Sequence, residues 1–226
     1  MSLLRQLQQI TERTYQQGSG VNFEHFVVGP RQFRDLTEAS GSITNQLSDM
    51  ARTFLRVKDN RLYLAIYYSR PMIEVLERYD PRRGLHKKNI HAFTIFIEEL
   101  NHAIHAALKF LTGDRDISDE HFLRDLELLA KIDCYHTLKY FMAYFNSSKQ
   151  LEEWDRLWIR HHTFEGWDFG YDSPKLRSRY RETNLLGEKY TRFLEGLPPE
   201  HRVKEIRRFR GMGYPQKRQY IRFLPN

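Results

Sequence analysis

Apolar residues recur at helical spacing along most of the chain beyond residue 70, whereas the every-second-residue alternation of strands is confined to the first 70. The clearest helical stretch is Asn89–Leu111. Ile90, Phe93, Ile97, Leu100, Ile104, Leu108 and Leu111 cover most of its circumference, and one polar stripe remains, made of His91, Glu98, His102, His105 and Lys109. A helix that is apolar nearly all round belongs inside a protein, so its few ionisable groups need partners.

The same reading divides the rest of the chain. Residues 3–17 form a Gln-rich helix with Leu4, Leu7 and Ile10 spaced for docking, ended by Gly18-Ser19-Gly20. Val21–Val28 reads as a short strand stopped by Gly29-Pro30. Phe54–Lys58 and Leu62–Ser69 alternate around Asp59-Asn60-Arg61, which predicts a β-hairpin. Pro71–Tyr79 starts on a first-turn proline and closes before Asp80-Pro81. Asn89 is placed to cap the stripe helix, and Gly113 follows its last apolar turn. Ser118-Asp119-Glu120 starts a long helix running to about Asn146, with Ser118 as its capping hydroxyl. Leu151–His162, Ser173–Leu194 and Pro199–Arg210 are further helices, and Phe164–Tyr171 is an aromatic, glycine-rich packed corner. The expected architecture is mainly α, a helical bundle with a small N-terminal antiparallel β-hairpin or sheet. We read residues 1–226 as one domain, with a mixed part to 70, a helical core over 71–198 and basic C-terminal helices over 199–226.

Composition narrows the class without naming a function. Hydrophobic content of 40% with 14% aromatic residues belongs to a chain that can bury a core. The longest apolar run, Leu62–Tyr68, is far short of the roughly 18 residues of a membrane span. The N-terminus turns polar too early for a secretory signal, and the single cysteine, Cys134, cannot form an internal disulfide. These features imply a soluble, cytoplasmic protein without a membrane partner. Net charge is +7, but eight Lys or Arg face two Glu between Pro199 and Asn226, so +6 of it sits in the last 28 residues.

Two regions carry candidate chemistry. On the Ser118–Asn146 helix, Phe122, Leu126, Leu129, Tyr140 and Tyr144 define the best apolar face, with Asp133 in its middle and His136 one turn on. A carboxylate there needs a partner, because burying it unpaired is costly. The short connection at Thr112–Ile117 makes the two long helices antiparallel neighbours, which puts Glu98 and His102 near the level of Asp133 and His136. One reading is a structural network that fixes helix register and needs no cofactor. A second is a metal site: Glu98 and His102 are an i, i+4 pair, and Asp133-Cys-Tyr-His136 is a D-x-x-H string. Helical bundles hold divalent iron or manganese with such carboxylate–imidazole sets, and zinc is compatible with the same donors. A third is metal-free acid–base chemistry by a histidine oriented by Asp133 or Glu98, although no nucleophile motif accompanies it.

At the basic end, Arg202, Lys204, Arg207, Arg208, Arg210, Lys217, Arg218 and Arg222 are interleaved with Phe209, Tyr214, Tyr220 and Phe223. Val203, Ile206, Phe209 and Met212 repeat at helical spacing and would dock this segment on the core. The charges would then be a solvated face, a surface for an acidic protein partner (Arg207, Arg208, Arg210, Lys217 and Arg218 the contacts), or an RNA or single-stranded DNA surface. No Walker, dinucleotide, RNP, KH or zinc-finger pattern is present.

Four strings together resemble a family of bacterial, mainly helical proteins with no assigned activity. They are Glu98-Glu-Leu-Asn-His102, Leu126-Glu-Leu-Leu-Ala-Lys-Ile-Asp133, Tyr180-Arg-Glu-Thr-Asn184 with Tyr190, and Ile206-Arg-Arg-Phe209. The resemblance loosely spans residues 20–223 and implies this order of helices and a shared emphasis on Glu98, His102 and Asp133. Leu129, Lys131 and Arg210 depart from it. The reading that best fits the chain is a non-catalytic interaction protein with a basic binding end. A metal-dependent bundle enzyme using Glu98, His102, Asp133 and His136 is the rival, and a nucleic-acid-binding protein is the third.

Overall fold

In the computed structural model, which describes residues 1–40, 49–165 and 172–225, the chain is mainly helical with a small three-stranded sheet. The hairpin forms as its sequence dictates. Strands β2 (Ala51–Lys58) and β3 (Arg61–Tyr68) pair antiparallel from Ala51↔Tyr68 to Lys58↔Arg61. Asp59 and Asn60 both take positive φ, 49° and 54°, in the two-residue turn whose twist matches that of the strands.

The strand expected over Val21–Val28 shrinks to β1 (Val27–Val28), and it pairs with β3 in parallel, so the sheet is mixed in the order β1-β3-β2. The reason is Gln8, on helix α1 (Leu3–Tyr15). Its side chain donates to the Val21 carbonyl at 2.7 Å and accepts from the Phe23 amide at 3.3 Å, satisfying backbone groups that a strand would have offered to a neighbour. Residues Phe23–Phe26 instead form a tight turn that buries Phe23 completely. Gly29-Pro30, read as a strand stop, also starts a helix that the hydrophobic pattern did not reveal, α2 (Pro30–Ser40), with the Gln32 side chain capping the Gly29 amide. Phe33 of α2 stacks on Tyr67 of the sheet with centroids 3.9 Å apart.

Helix α3 (Arg70–Arg78) leads to α4 (Ile90–Leu111), which packs on α1, α3, both long strands and α5 (Glu120–Phe145). Asn89 starts α4 without capping it; its side chain instead bonds His86, Tyr79 and Gly84 of the preceding loop. Asp119, not Ser118, caps α5 by accepting from the Phe122 amide. Buried positions run all round the middle of α5, from Leu128 through Tyr135, so it has no single apolar face there. Tyr140 and Tyr144, expected on that face, are more than half exposed at 56% and 58%.

Beyond α6 (Glu153–Arg160) and a π-helical turn at His161–Glu165 come α7 (Pro174–Gly196), α8 (Pro199–Arg210) and α9 (Tyr214–Phe223). The corner expected over Phe164–Tyr171 lies outside the described residues from 166 onward; Phe164 itself is buried. Helix α7 approaches α5 at Gly187, where a Cβ would sit 3.2 Å from the Phe164 ring and 3.5 Å from Lys131 Cβ. Three apolar clusters result among the described residues, the smallest joining Ala106 of α4 to Phe122 and Leu126 of α5. The largest lies around α4, and another joins Leu128, Leu129 and Ile132 of α5 to Tyr190, Leu194, Phe209, Tyr214 and Ile221 of the last three helices. Among the described residues, no helix is long and apolar enough to cross a membrane.

Candidate functional site

The polar stripe of α4 meets α5 through a series of separate charge pairs, not through one centre. Asp133, nearly buried, accepts from the Tyr15 hydroxyl through Oδ1 at 2.6 Å and contacts His105 Nε2 through Oδ2 at 2.6 Å. An ionised carboxylate can only accept, so His105 carries its proton on Nε2. Its Nδ1 is buried with no hydrogen-bond partner among the described residues. Burial lowers the His105 pKa despite the pull of Asp133, which keeps the ring neutral at pH 7. Burial, then the charge of Asp133, raises the Tyr15 phenol well above its ordinary range.

His102, the partner expected for Asp133, lies one turn away and serves two other carboxylates. Nε2 is 3.2 Å from Glu127 and Nδ1 is 3.6 Å from Glu99. The Nε2 contact is an ion pair without the alignment of a full hydrogen bond. Burial alone would lower this imidazole, but Glu127 and Glu99 outweigh it and hold its pKa well above the ordinary value, so it carries a proton. Glu98 is paired instead with Lys131, 2.7 Å away. His136 stands apart, with Nε2 unpartnered among the described residues and its pKa pushed down to about 4 by burial and then by Lys139.

The four side chains expected to converge are thus separated: Glu98, His102 and Asp133 belong to three different clusters, and His136 to none of them. Among the described residues, no three His, Cys, Asp or Glu side chains come together as a metal-ligand set. The physical reason lies in charge: each interior carboxylate already has a resident cation or strong donor. Glu98 has Lys131, Glu127 has His102, and Asp133 has Tyr15 and His105. Asp125 receives Lys217 at 2.7 and 2.9 Å and Lys109 at 2.9 Å. Glu195 receives Tyr135 at 2.6 Å, Arg160 at 2.7 Å and Lys139 at 2.9 Å. Tyr15, Asp125, Glu127 and Glu195 are not singled out in the sequence reading, and Lys131 enters it only as a departure from the family resemblance. Asp125 had a signal available, since it lies two turns before Asp133 and so on the same face of α5.

The basic end is also rearranged. Lys217, expected at a partner surface, is fully buried, and besides Asp125 it donates to the carbonyl of Met212. Arg210 turns inward over the Tyr15 ring and reaches Gln17. Arg207 donates to the Thr14 carbonyl at 2.7 Å. Arg208 is exposed but held by Glu205. Of the five expected partner contacts, Arg218 lines a recess between α7 and α9. The packing moment of Ile206 and Phe209 drives the rotation of α8, because seating them on Tyr190 brings Arg207 and Arg210 against α1.

The surface the helices do present is a groove of about 590 Å³ along α7 and α9, lined by Arg177, Arg181, Arg218 and Arg222 around Leu185 and Leu186. Among the described residues, Glu182 is the one carboxylate in its lining, and it is occupied by Arg124 and by Arg218 at 2.6 Å. Arg181 and Arg222 have no carboxylate partner among the described residues. Leu185, 58% exposed, stands in water between them. No protein-family model, curated protein or solved structure matches the chain.

Proposed function

We propose that this protein is a non-catalytic binding module that holds an acidic protein segment in the arginine groove between α7 and α9. The observation that carries this reading is the lining itself: four guanidinium groups, one already satisfied carboxylate, and a solvent-facing leucine. Guanidinium groups recognise carboxylates in paired geometry, and an aliphatic floor suits an apolar residue between the acids. The interior pairs support the same view from the other side. His105 is inaccessible to solvent and Asp133 nearly so, which suits a network that sets helix register more than one that meets a substrate.

A nucleic-acid reading rested on aromatic platforms interleaved with the cations. Phe209 and Tyr214 are buried and Tyr220 is packed on Phe193, so of the four rings Phe223 alone, 82% exposed, offers a stacking surface, fewer than a series of stacked bases would use. The test is fluorescence anisotropy with a labelled peptide whose helical turns alternate glutamate and leucine. Binding should be measurable at about 50 mM salt and should weaken by about tenfold or more in the Arg181→Glu, Arg222→Glu double variant. Arg208→Glu, already paired on its own helix, should change it little. Equal affinity in wild type and double variant refutes the assignment, and saturable single-stranded RNA binding without peptide binding would transfer the groove to nucleic acid.

A further inference from the structure

A second recess lies on another side of the molecule, between α1 and the C-terminal half of α5. Gln6, Gln9 and Arg13 are spaced by three and four residues and so share one face of α1; Tyr140 and Tyr144, four apart, share one face of α5. These two faces line a groove of about 370 Å³, together with Arg82. This size is ordinary for a small-molecule site.

Its chemistry is unlike that of the arginine groove. Two tyrosine rings are more than half exposed, side by side on one helix, and Phe145 beside them is 36% exposed. Concentrating so much aromatic surface in one concave place is unusual for a free surface. Among the described residues, no carboxylate lines the recess. Arg82 is held by both oxygens of Asp80, but Arg13 has no carboxylate partner among the described residues. Lys149 lies outside the lining, with its ammonium 4.8 Å from the Tyr144 ring centroid and donating to the Tyr144 carbonyl. Flat rings, uncompensated positive charge and the amides of Gln6 and Gln9 converge on one class of ligand.

We infer that this recess binds a small planar aromatic anion, with its ring stacked on Tyr140 and Tyr144 and its acid group on Arg13. A phosphate or a carboxylate satisfies the same arginine, and the two sources separate by experiment. Isothermal titration would use adenosine monophosphate, adenosine, 1-naphthoate, 1-naphthalenemethanol and inorganic phosphate as probes. At least one aromatic anion should saturate the protein with Kd below about 1 mM, and its neutral counterpart and bare phosphate should bind at least about tenfold more weakly. Adenosine monophosphate alone assigns a phosphate-bearing ligand; naphthoate alone assigns a carboxylate.

Arg13→Ala should remove the preference for the anion over its neutral counterpart. The Tyr140→Ala, Tyr144→Ala pair should weaken binding of the preferred anion by about tenfold or more. All three residues are exposed, and an unchanged unfolding midpoint confirms that each variant is folded. Phosphate binding as tightly as the aromatic anions, no aromatic anion binding below about 1 mM, or affinities unmoved by both variants would overturn the assignment.

Discussion

Asp133→Ala is the substitution that most directly examines how the interior is held. The carboxylate accepts from Tyr15 and from His105, each at 2.6 Å, and its side chain is only 7% exposed. Truncation removes both bonds and leaves a phenol and an imidazole N–H buried without acceptors, at about 1–3 kcal/mol for each stranded donor. Relief from burying the charge offsets part of this, so the net loss should be about 3–5 kcal/mol, as for breaking other buried charged pairs. That is a large share of the roughly 5–15 kcal/mol that holds a domain together. Tyr15→Phe removes one hydrogen bond to a charged group and should cost about 1.5–3 kcal/mol. In the double variant no phenol is stranded, so its cost should fall short of the sum by about 1 kcal/mol or more. Urea unfolding followed by far-ultraviolet circular dichroism measures all three. A loss below about 1 kcal/mol for Asp133→Ala, or strict additivity, would refute the account.

Two further outcomes follow from the ion pairs. Lys217→Met strands Asp125 with Lys109 alone and should destabilise by about 2–4 kcal/mol in the same assay, whereas Arg208→Ala, on an exposed pair, should cost less than about 1 kcal/mol. His136 and His105 have folded-state pKa values below those of the unfolded chain, so unfolding takes up protons and stability should fall as pH drops from about 7 to 5. His102 has the opposite sign: its stabilisation is present below the ordinary histidine value and is lost as pH rises through its raised folded value. His136→Gln should flatten the acid side of a plot of unfolding midpoint against pH; an unaltered slope would place the proton uptake elsewhere.

The parts of the fold that local chemistry controls were legible in the sequence. Asp59-Asn60 between alternating segments specified the hairpin, and the apolar circumference of 90–111 marked a central helix. The polar interior was legible only to within a turn. His102 and His105 share a stripe, and which of them meets Asp133 depends on the rotation and height of α4 against α5, which periodicity does not contain. Tyr15 lies 118 residues from Asp133, beyond any local pattern. Lys217 misled most. A lysine in a basic, amphipathic tail reads as solvated, and only the tertiary placement of Asp125 makes its burial tolerable. Pro30 was ambiguous in another way, since the same residue ends a strand and begins a helix.

The contacts of α1 carry a consequence for how the chain reaches its native state. The Thr14 carbonyl, in the last turn of α1, accepts from Arg207, and Gln17 accepts from Arg210, each across 193 residues of sequence. Carbonyls at a helix end have no partner within the helix, so α1 stays incompletely satisfied until α8 arrives. Helix α1 is therefore made long before the helix that completes it. Until α8 has been made, α1 keeps its docking face open to chaperones and to other copies of the chain, and the pairing of these two helices is a late, long-range step of folding.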